Sequence, residues 1–374
     1  MENRARLLAL NLIDGIGSTR LRRLLETFGS LERLWQAEAA ELRQVEGIGA
    51  QLASRIVAAR GFDKAVQQEC ALAQRGGARI VTLEDEDYPT MLRAIPDPPL
   101  VLYVRGTLPA QDTAVGIVGA RLASLYGLQM AQRLGYDLGL RGITVVSGLA
   151  RGVDGAAHRG ALKSGSRTVA FLGGGLSRLY PPEHRELAEQ IVRQGAVVSE
   201  YPMGMEPMAQ NFPRRNRLIS GLSLGVVIVE AAKRSGALIT ADCALEQGRE
   251  VFAVPGKADA ATAQGTNHLL KQGARLVTSV EDILEELGLE KTVHSPSSIV
   301  HGKEEKSDKE TIQSPLMEEE RVLLAQLVSD EPVELDTIVA RTGVAASRCA
   351  SVMLGLELKR LVKQLPGKQF VKWN

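Results

Sequence analysis

The sequence predicts an α/β protein built on a doubly wound, Rossmann-like parallel sheet, with a small helical unit ahead of it and a smaller mixed unit behind. Three observations predict this. Between residues 112 and 288, short β-rich runs alternate with glycine turns and amphipathic helical stretches. Residues 1–60 read as helical, punctuated by two similar glycine turns. After a polar stretch, residues 317–374 resume with three helical runs and a terminal hairpin. The domains are placed at 1–62, 63–288 and 317–374, with 289–316 a flexible linker.

In the front unit the turns are Ile13-Asp14-Gly15-Ile16-Gly17 and Val45-Glu46-Gly47-Ile48-Gly49, each followed by helix-forming residues. This resembles the helix-hairpin-helix motif, in which glycines bring backbone N–H groups at a helix start toward a DNA phosphate. The alternative is a helical docking unit whose glycine turns are only tight connections. Arg20, Arg22, Arg23, Arg55 and Arg60 lean the reading toward DNA.

A helix containing Cys70 then ends at Gly76-Gly77, and Ile80–Leu83 and Leu100–Val104 read as strands. Tyr88-Pro89 and Pro96–Pro99 between them enforce extended or turning backbone. The main run of strands is Ala114–Val118, Ile143–Ser147, Thr168–Leu172, Ala196–Ser199, Leu224–Glu230, Glu250–Val254 and Arg275–Thr278. Helical stretches between most of them are Ser124–Leu140, Val153–Lys163, Glu183–Gln194, Thr240–Gln247 and Asn267–Lys271. In such sheets ligands bind where strand C-terminal ends meet helix N-termini.

Residues 289–316 are polar and lack periodicity, as a linker does. Glu318–Val328, Leu335–Thr342 and Ala345–Arg360 read as helices, and Leu361–Leu365 and Gln369–Trp373 as a hairpin turning at Pro366-Gly367. The arrangement looks like a winged helix, with Thr342-Gly343-Val344 as the turn before its recognition-type helix. Eight basic residues balance eight acidic ones in this unit, so protein docking or autoregulation stands beside DNA contact.

Composition narrows the function classes. Among 374 residues, 44% are hydrophobic and 24% charged, and 37 glycines suit many tight strand-to-helix turns. The formal net charge is +1, so any nucleic-acid site must be a local focus of charge. Cys70, Cys243 and Cys349 form no CxxC pair, which argues against zinc and against a disulfide framework. The N-terminus lacks a signal-peptide pattern and no apolar run approaches a membrane span, so the expectation is cytoplasmic.

Four turns on the predicted sheet edge carry chemistry. Gly116–Arg121 precedes a helix at Ser124, with Gly119 for close approach and Arg121 for charge. Gly173-Gly174-Gly175 follows a strand. Arg214, Arg215, Asn216 and Arg217 form a basic cluster after Pro213, read as a held phosphate-binding loop, with a salt-bridged surface loop as the alternative. Ser235, Gly236 and Thr240 open a helix behind Lys233 and Arg234 and offer hydroxyl and backbone donors to an anion. A dinucleotide site is disfavoured, because the first turn lacks the spaced glycine fingerprint. Asp154 and His158 lie four apart on one helix face, either as a catalytic pair or as a dipole-favoured acid and a packed histidine. Glu200 and Glu230 end strands, as bases or as structural partners of nearby arginines. Met203, Met205 and Met208 read as gap-filling.

Gly119-Ala120-Arg121, Ser147–Asp154, Phe212–Arg217, Ser235–Thr240, Val254-Pro255-Gly256 and Gly265-Thr266-Asn267-His268, in that order across about residues 65–285, resemble the DNA-processing protein A (DprA/Smf) family. The resemblance implies a non-enzymatic, single-stranded-DNA-binding protein that delivers incoming DNA to a RecA-type recombinase during natural transformation. It implies a pocket where Arg121 and Arg214–Arg217 hold phosphates and bases, with no metal, cofactor or catalytic residue. It also implies homodimerisation through His268, Leu269, Leu270 and the following strand at Val277, overlapping the recombinase contacts, and single-strand-binding protein joins the candidate partners. Two departures are Ala120, where many members carry a hydroxyl, and Tyr180–His184, where members often place a lysine or asparagine. Arg178 and Arg185 are the candidates to replace that contact, with Gly174 and Lys233 beside them. The rival reading is a phosphoribohydrolase-like nucleotide-cleaving enzyme using Glu200 or Glu230. Its Pro-Gly-Gly-x-Gly-Thr turn is here split between Pro255-Gly256 and Gly265-Thr266. A third reading makes the chain chiefly an interaction hub.

Overall fold

The computed structural model describes residues 2–61, 63–289, 318–327, 332–358, 361–365 and 369–372. The expected linker, apart from Leu289, and the Pro366-Gly367 turn lie outside these residues. The chain divides into two compact units, 1–295 and 296–374.

The first unit opens with α1 (Glu2–Asn11), α2 (Ser18–Phe28), α3 (Leu31–Gln36), α4 (Ala39–Leu42), α5 (Ala50–Ala58) and α6 (Asp63–Arg75). The two glycine turns join α1 to α2 and α4 to α5, and Gly15 (φ 95°) and Gly47 (φ 84°) adopt backbone that other residues avoid. Arg20 donates to the carbonyls of both Gly15 and Gly47 and so ties the turns together. Arg55 reaches the Asp14 carbonyl, Arg60 that of Ala37, and Arg22 and Arg23 pair with Glu26 and Glu46. The arginines whose excess leaned the reading toward DNA all make contacts within the protein.

These helices share their core with the sheet. Leu7, Leu10, Leu24 and Ile56 belong to one buried cluster with Ile80, Val101, Tyr103 and Val197. Arg4 donates to the Ile80 carbonyl, and Asn11 Nδ2 to the Glu200 carbonyl at 3.4 Å.

Then follow β1 (Arg79–Thr82), α7 (Thr90–Arg93), β2 (Val101–Gly106), β3 (Ala114–Val118), α8 (Leu125–Leu140), β4 (Thr144–Ser147), α9 (Val153–Lys163), β5 (Thr168–Phe171), α10 (Arg185–Gln194) and β6 (Ala196–Ser199). The unit closes with α11 (Asn211–Gly221), β7 (Gly225–Ile228), α12 (Gly236–Glu246), β8 (Glu250–Ala253), α13 (Gln264–Lys271), β9 (Arg275–Leu276) and α14 (Val280–Glu286). The nine strands run in the order β1-β2-β6-β5-β4-β3-β7-β8-β9. From β6 to β9 every pairing is parallel, while β1 and β2 add on antiparallel at one edge.

The parallel strands are apolar along their length because both faces are covered. Val115, Ile117 and Val145 pack with α8, α9 and α14 on one face. Val118, Val146 and Ile228 pack with α11 and α12 on the other. From β3 the chain winds outward through β4, β5 and β6, then crosses to β7 on the other flank. The β3/β7 boundary is therefore the switch point, where the connecting loops part and leave a crevice.

One element departs from expectation. Residues 211–221, read as a loop carrying the basic cluster, form helix α11. Pro213 sits in its first turn, where backbone N–H groups have no intrahelical acceptor, so proline is tolerated.

The second unit comprises α15 (Glu318–Leu324), β10 (Val333–Glu334), α16 (Leu335–Thr342), α17 (Ala346–Leu358), β11 (Val362–Leu365) and β12 (Gln369–Lys372). Its antiparallel sheet runs β10-β12-β11 over a core of Leu323, Ile338, Met353, Leu356 and Phe370. Gly343 (φ 68°) ends α16 at the expected turn, and the unit has the winged-helix form.

Candidate nucleic-acid interface

The crevice at the switch point is a pocket of about 380 Å³. Three structural devices build it.

The first is the loop after β3. Ser124 caps α8 by accepting the Gly127 N–H at 3.1 Å. Glu230, at the end of β7, accepts the Ser124 backbone N–H at 2.9 Å and its hydroxyl at 2.5 Å. A side chain at Gly127 would strike the Glu230 carboxylate. The loop is thus pinned across the switch point, and Glu230 is a structural clamp with its partners on a helix start, not on an arginine. Gly119 lines the pocket, but its missing Cβ makes room for Val153 and the Glu230 carbonyl. Arg121 rises from this loop, exposed, with its guanidinium 5.3 Å from the Phe212 ring centroid.

The second device is a buried arginine. Arg215, 4% exposed, donates to the carbonyls of Gly148 and Phe171 and so clamps the ends of β4 and β5. Any Cβ at Gly148 would collide with that guanidinium. Asp154 accepts the N–H groups of Gly148 (3.1 Å) and Ala150 (3.3 Å), holding Leu149 between them at a positive φ of 55°. Burial pushes the Asp154 carboxyl up from the ordinary carboxylate range, opposed by Arg215 and the two amide donors. Burial likewise lowers Arg215 from the usual guanidinium value. Asp154 does not meet His158. The buried histidine places Nδ1 2.7 Å from the Thr168 hydroxyl, and the expected choice between catalytic pair and packed residues falls to packing.

The third device is the start of α12. Ser235 caps it by accepting the Ala237 N–H at 3.3 Å, and Asn216 Nδ2 donates to the Gly236 carbonyl at 3.1 Å. Thr240 is buried at the pocket wall, while Lys233 is exposed on the preceding loop.

Of the expected cluster, Arg215 and Asn216 line the pocket, but Arg214 and Arg217 do not. On α11 the pocket is lined by Phe212, Arg215, Asn216 and Ile219, spaced i, i+3, i+4, i+7, with Pro213 beside them in the first turn. Arg214 stands outside it, exposed. Arg217 turns away to Glu200 and Asp97, with Nε 3.1 Å from the Asp97 carboxylate and Nη1 donating to the Asp97 carbonyl at 2.6 Å. Arg217, expected to hold phosphates, is here the partner of two carboxylates.

Gly174 is closely packed. It is buried, and a Cβ there would meet Pro207, so the triple-glycine turn packs beneath the 202–207 segment. Arg178 pairs with Glu206 at 3.2 Å, and Arg185 is exposed at the start of α10. In the expected dimer region His268 is exposed and Leu270 half-buried. Leu269 and Val277 are spent in the chain's own core, while both residues of β9, Arg275 and Leu276, are exposed.

Sequence reasoning missed the aromatic content of the rim. Phe212 lies 5.9 Å from Tyr180, and Arg151 stands 5.6 Å from the Tyr180 ring. Arg121, Phe212, Tyr180 and Arg151 form a row in which two neighbouring rings are flanked by a cation at each end. Helical periodicity through 212–219 was the signal that could have found Phe212.

Comparison with known proteins shows the family to which the chain belongs. Residues 79–288, which contain the whole switch-point pocket, match the family DNA recombination-mediator protein A. The chain belongs to this family. Residues 307–368 match the DprA winged helix domain, and residues 7–60 the SAM-like helix-hairpin-helix tandem. Among relatives, Protein Smf of Synechocystis is 36% identical over 97% of both chains. The X-ray structure of DNA processing protein A from Streptococcus pneumoniae superposes with a TM-score of 0.65 and 32% identity, covering 75% of this chain and 95% of that one. DNA processing protein A of Helicobacter pylori, whose structure concerns a single-stranded DNA binding mode, gives a TM-score of 0.51 and 29% identity. It covers 57% of this chain and 97% of that one. Among the described residues no helix is long and apolar enough to cross a membrane, and no group of three or more metal-ligating side chains is found.

Proposed function

We propose that the chain binds single-stranded DNA at the switch-point pocket, without sequence preference, and hands it to a RecA-type recombinase during uptake and recombination of DNA in the cytoplasm. The observation that carries this is the Arg121–Phe212 pair at the pocket mouth. A cation and a ring side by side suit a strand whose every nucleotide offers a phosphate and a π-face. The Helicobacter pylori relative, named for its single-stranded DNA binding mode, supports it.

A binding role is favoured over a cleaving one by the engagement of the carboxylates. Asp154 holds two backbone N–H groups, Glu230 holds Ser124, and Glu200 holds Arg217. Gly119, Ser235, Gly236 and Asn216 supply the pocket's polar wall, with Arg214 and Lys233 as exposed charges beyond it. The protein works as a homodimer, and the recombinase and single-strand-binding protein are its macromolecular partners.

The test is fluorescence anisotropy of labelled single- and double-stranded oligonucleotides across a salt series. Wild type is expected to prefer the single strand, and Arg121→Ala with Phe212→Ala to lose that preference. Equal duplex binding untouched by these changes would shift DNA contact to the terminal units.

A further inference from the structure

The molecule carries a second cationic cleft, of about 410 Å³, between the outer faces of α9 and α10. It is lined by Arg159, Leu162, Lys163, Gln190, Arg193 and Gln194, with no carboxylate among them. Many surface arginines of this protein are neutralised by an acid, including Arg105, which forks onto Glu189 of α10 itself at 2.9–3.0 Å. Arg159 and Arg193 are exposed and have no ion-pair partner among the described residues. The Lys163 ammonium lies 5.9 Å from the Tyr136 ring centroid, and the exposed side chain adds a third positive charge to the cleft lining. Two glutamine amides add neutral donors. Three cations with amide donors and no acid form a concave surface suited to phosphate oxygens.

Helix α9 links this cleft to the switch-point pocket. Its first turn supplies Asp154 to the pocket and its last turn supplies Lys163 to the cleft, about 14 Å apart at 1.5 Å per residue. The Arg159 guanidinium bridges part of that gap. It folds back over Gly155, where a Cβ would come within 2.9 Å of Nη1, so its charge stands a turn nearer the pocket than its backbone does. Arg151 and Tyr180 stand beside the start of the same helix.

We propose that the α9–α10 cleft holds the phosphodiester backbone of the same single strand after it leaves the switch-point pocket, so that a long strand is gripped twice. The proposal rests on the pocket reading above.

The experiment compares a strand of about four nucleotides, which fills the pocket alone, with one of about twenty, by anisotropy across a salt series. Arg159→Ala with Arg193→Ala is expected to leave the short strand unchanged and to weaken the long one. The salt slope for the long strand should fall by about 1.4, two contacts at about 0.7 each. Arg159→Lys with Arg193→Lys keeps the charge and should keep the slope. An unchanged long-strand affinity and slope in the alanine variant overturns the proposal, and so does an equal loss for both lengths. Thermal stability with and without inorganic phosphate, at fixed ionic strength, separates the other source of the same chemistry. If the alanine pair abolishes a phosphate-induced rise in Tm yet leaves the long strand untouched, the cleft serves a free anion and the strand proposal falls. If instead the alanine pair weakens the long strand while Arg121→Ala affects neither length, the pocket reading fails and the cleft contact stands.

Discussion

The guanidinium of Arg121 lies 5.3 Å from the centroid of the Phe212 ring, joining the loop after β3 to the first turn of α11 across the switch point. Neither residue supports the core there: Arg121 is exposed and Phe212 half-buried. Their contact is at the surface, where a ligand can exchange with it, and this separates the side chains that hold the pocket from those that face outward.

Arg121→Ala should weaken single-stranded DNA binding by a similar factor for every sequence. The slope of log affinity against log salt should drop by about 0.7, the release of one phosphate contact. Tm should stay within a degree or two of wild type, because no buried group loses a partner. Anisotropy with homopolymeric and mixed strands checks the first statement and calorimetry the second.

Phe212→Ala should cost about 1–3 kcal/mol of binding, the worth of one stacked base, with the salt slope unchanged. Charge and stacking are thereby told apart: one variant changes the slope, the other the intercept.

Arg217→Ala should behave in the opposite way to Arg121→Ala. It strands Glu200, whose side chain is 14% exposed, and removes the tie to Asp97. A loss of about 3 kcal/mol of stability is expected, from leaving a largely desolvated carboxylate unpaired. The affinity of the folded variant for DNA should be close to wild type. A Tm that stays put together with a large loss of affinity would return Arg217 to the DNA site.

Acid should destabilise the first unit through His158. Burial, with His184, Arg159 and Arg215 adding positive potential, lowers its pKa to about 3. The folded value lies below the unfolded value of about 6.5. Its contribution is therefore fully present above that pH and is lost as pH falls toward 3, by up to about 1.4 kcal/mol per unit. His158→Leu should flatten the dependence of Tm on pH between about 6.5 and 4 relative to wild type.

The strands were legible in the sequence nearly to the residue, as at Ala114–Val118 and Ala196–Ser199, because strands covered on both faces read as apolar runs between glycine turns. The antiparallel pairing of β2 with both β1 and β6 was not, since direction depends on where the chain crosses rather than on local pattern. Helix α11 was missed because Pro213 and three arginines imitate a loop. Once the run is read as a helix, its period alone separates Arg215 and Asn216 from Arg214 and Arg217. The pairing of Glu200 with a nearby arginine was legible, but the second partner of Arg217 was not, since Asp97 lies 120 positions away. Family likeness marked the basic cluster as functional, but tertiary packing assigned each member its task.

The shared core of the front helices and the sheet has a consequence for how the protein comes apart. Leu7 and Leu10 lie in one apolar cluster with Ile80, Val101 and Tyr103. The first six helices are therefore not an appendage that could be trimmed from the chain. A fragment beginning at Arg79 would expose Val101 and Tyr103 to water and aggregate through them. The front of the chain and the sheet should melt in one cooperative transition, and whatever grips the helices also steadies the strands that carry the pocket.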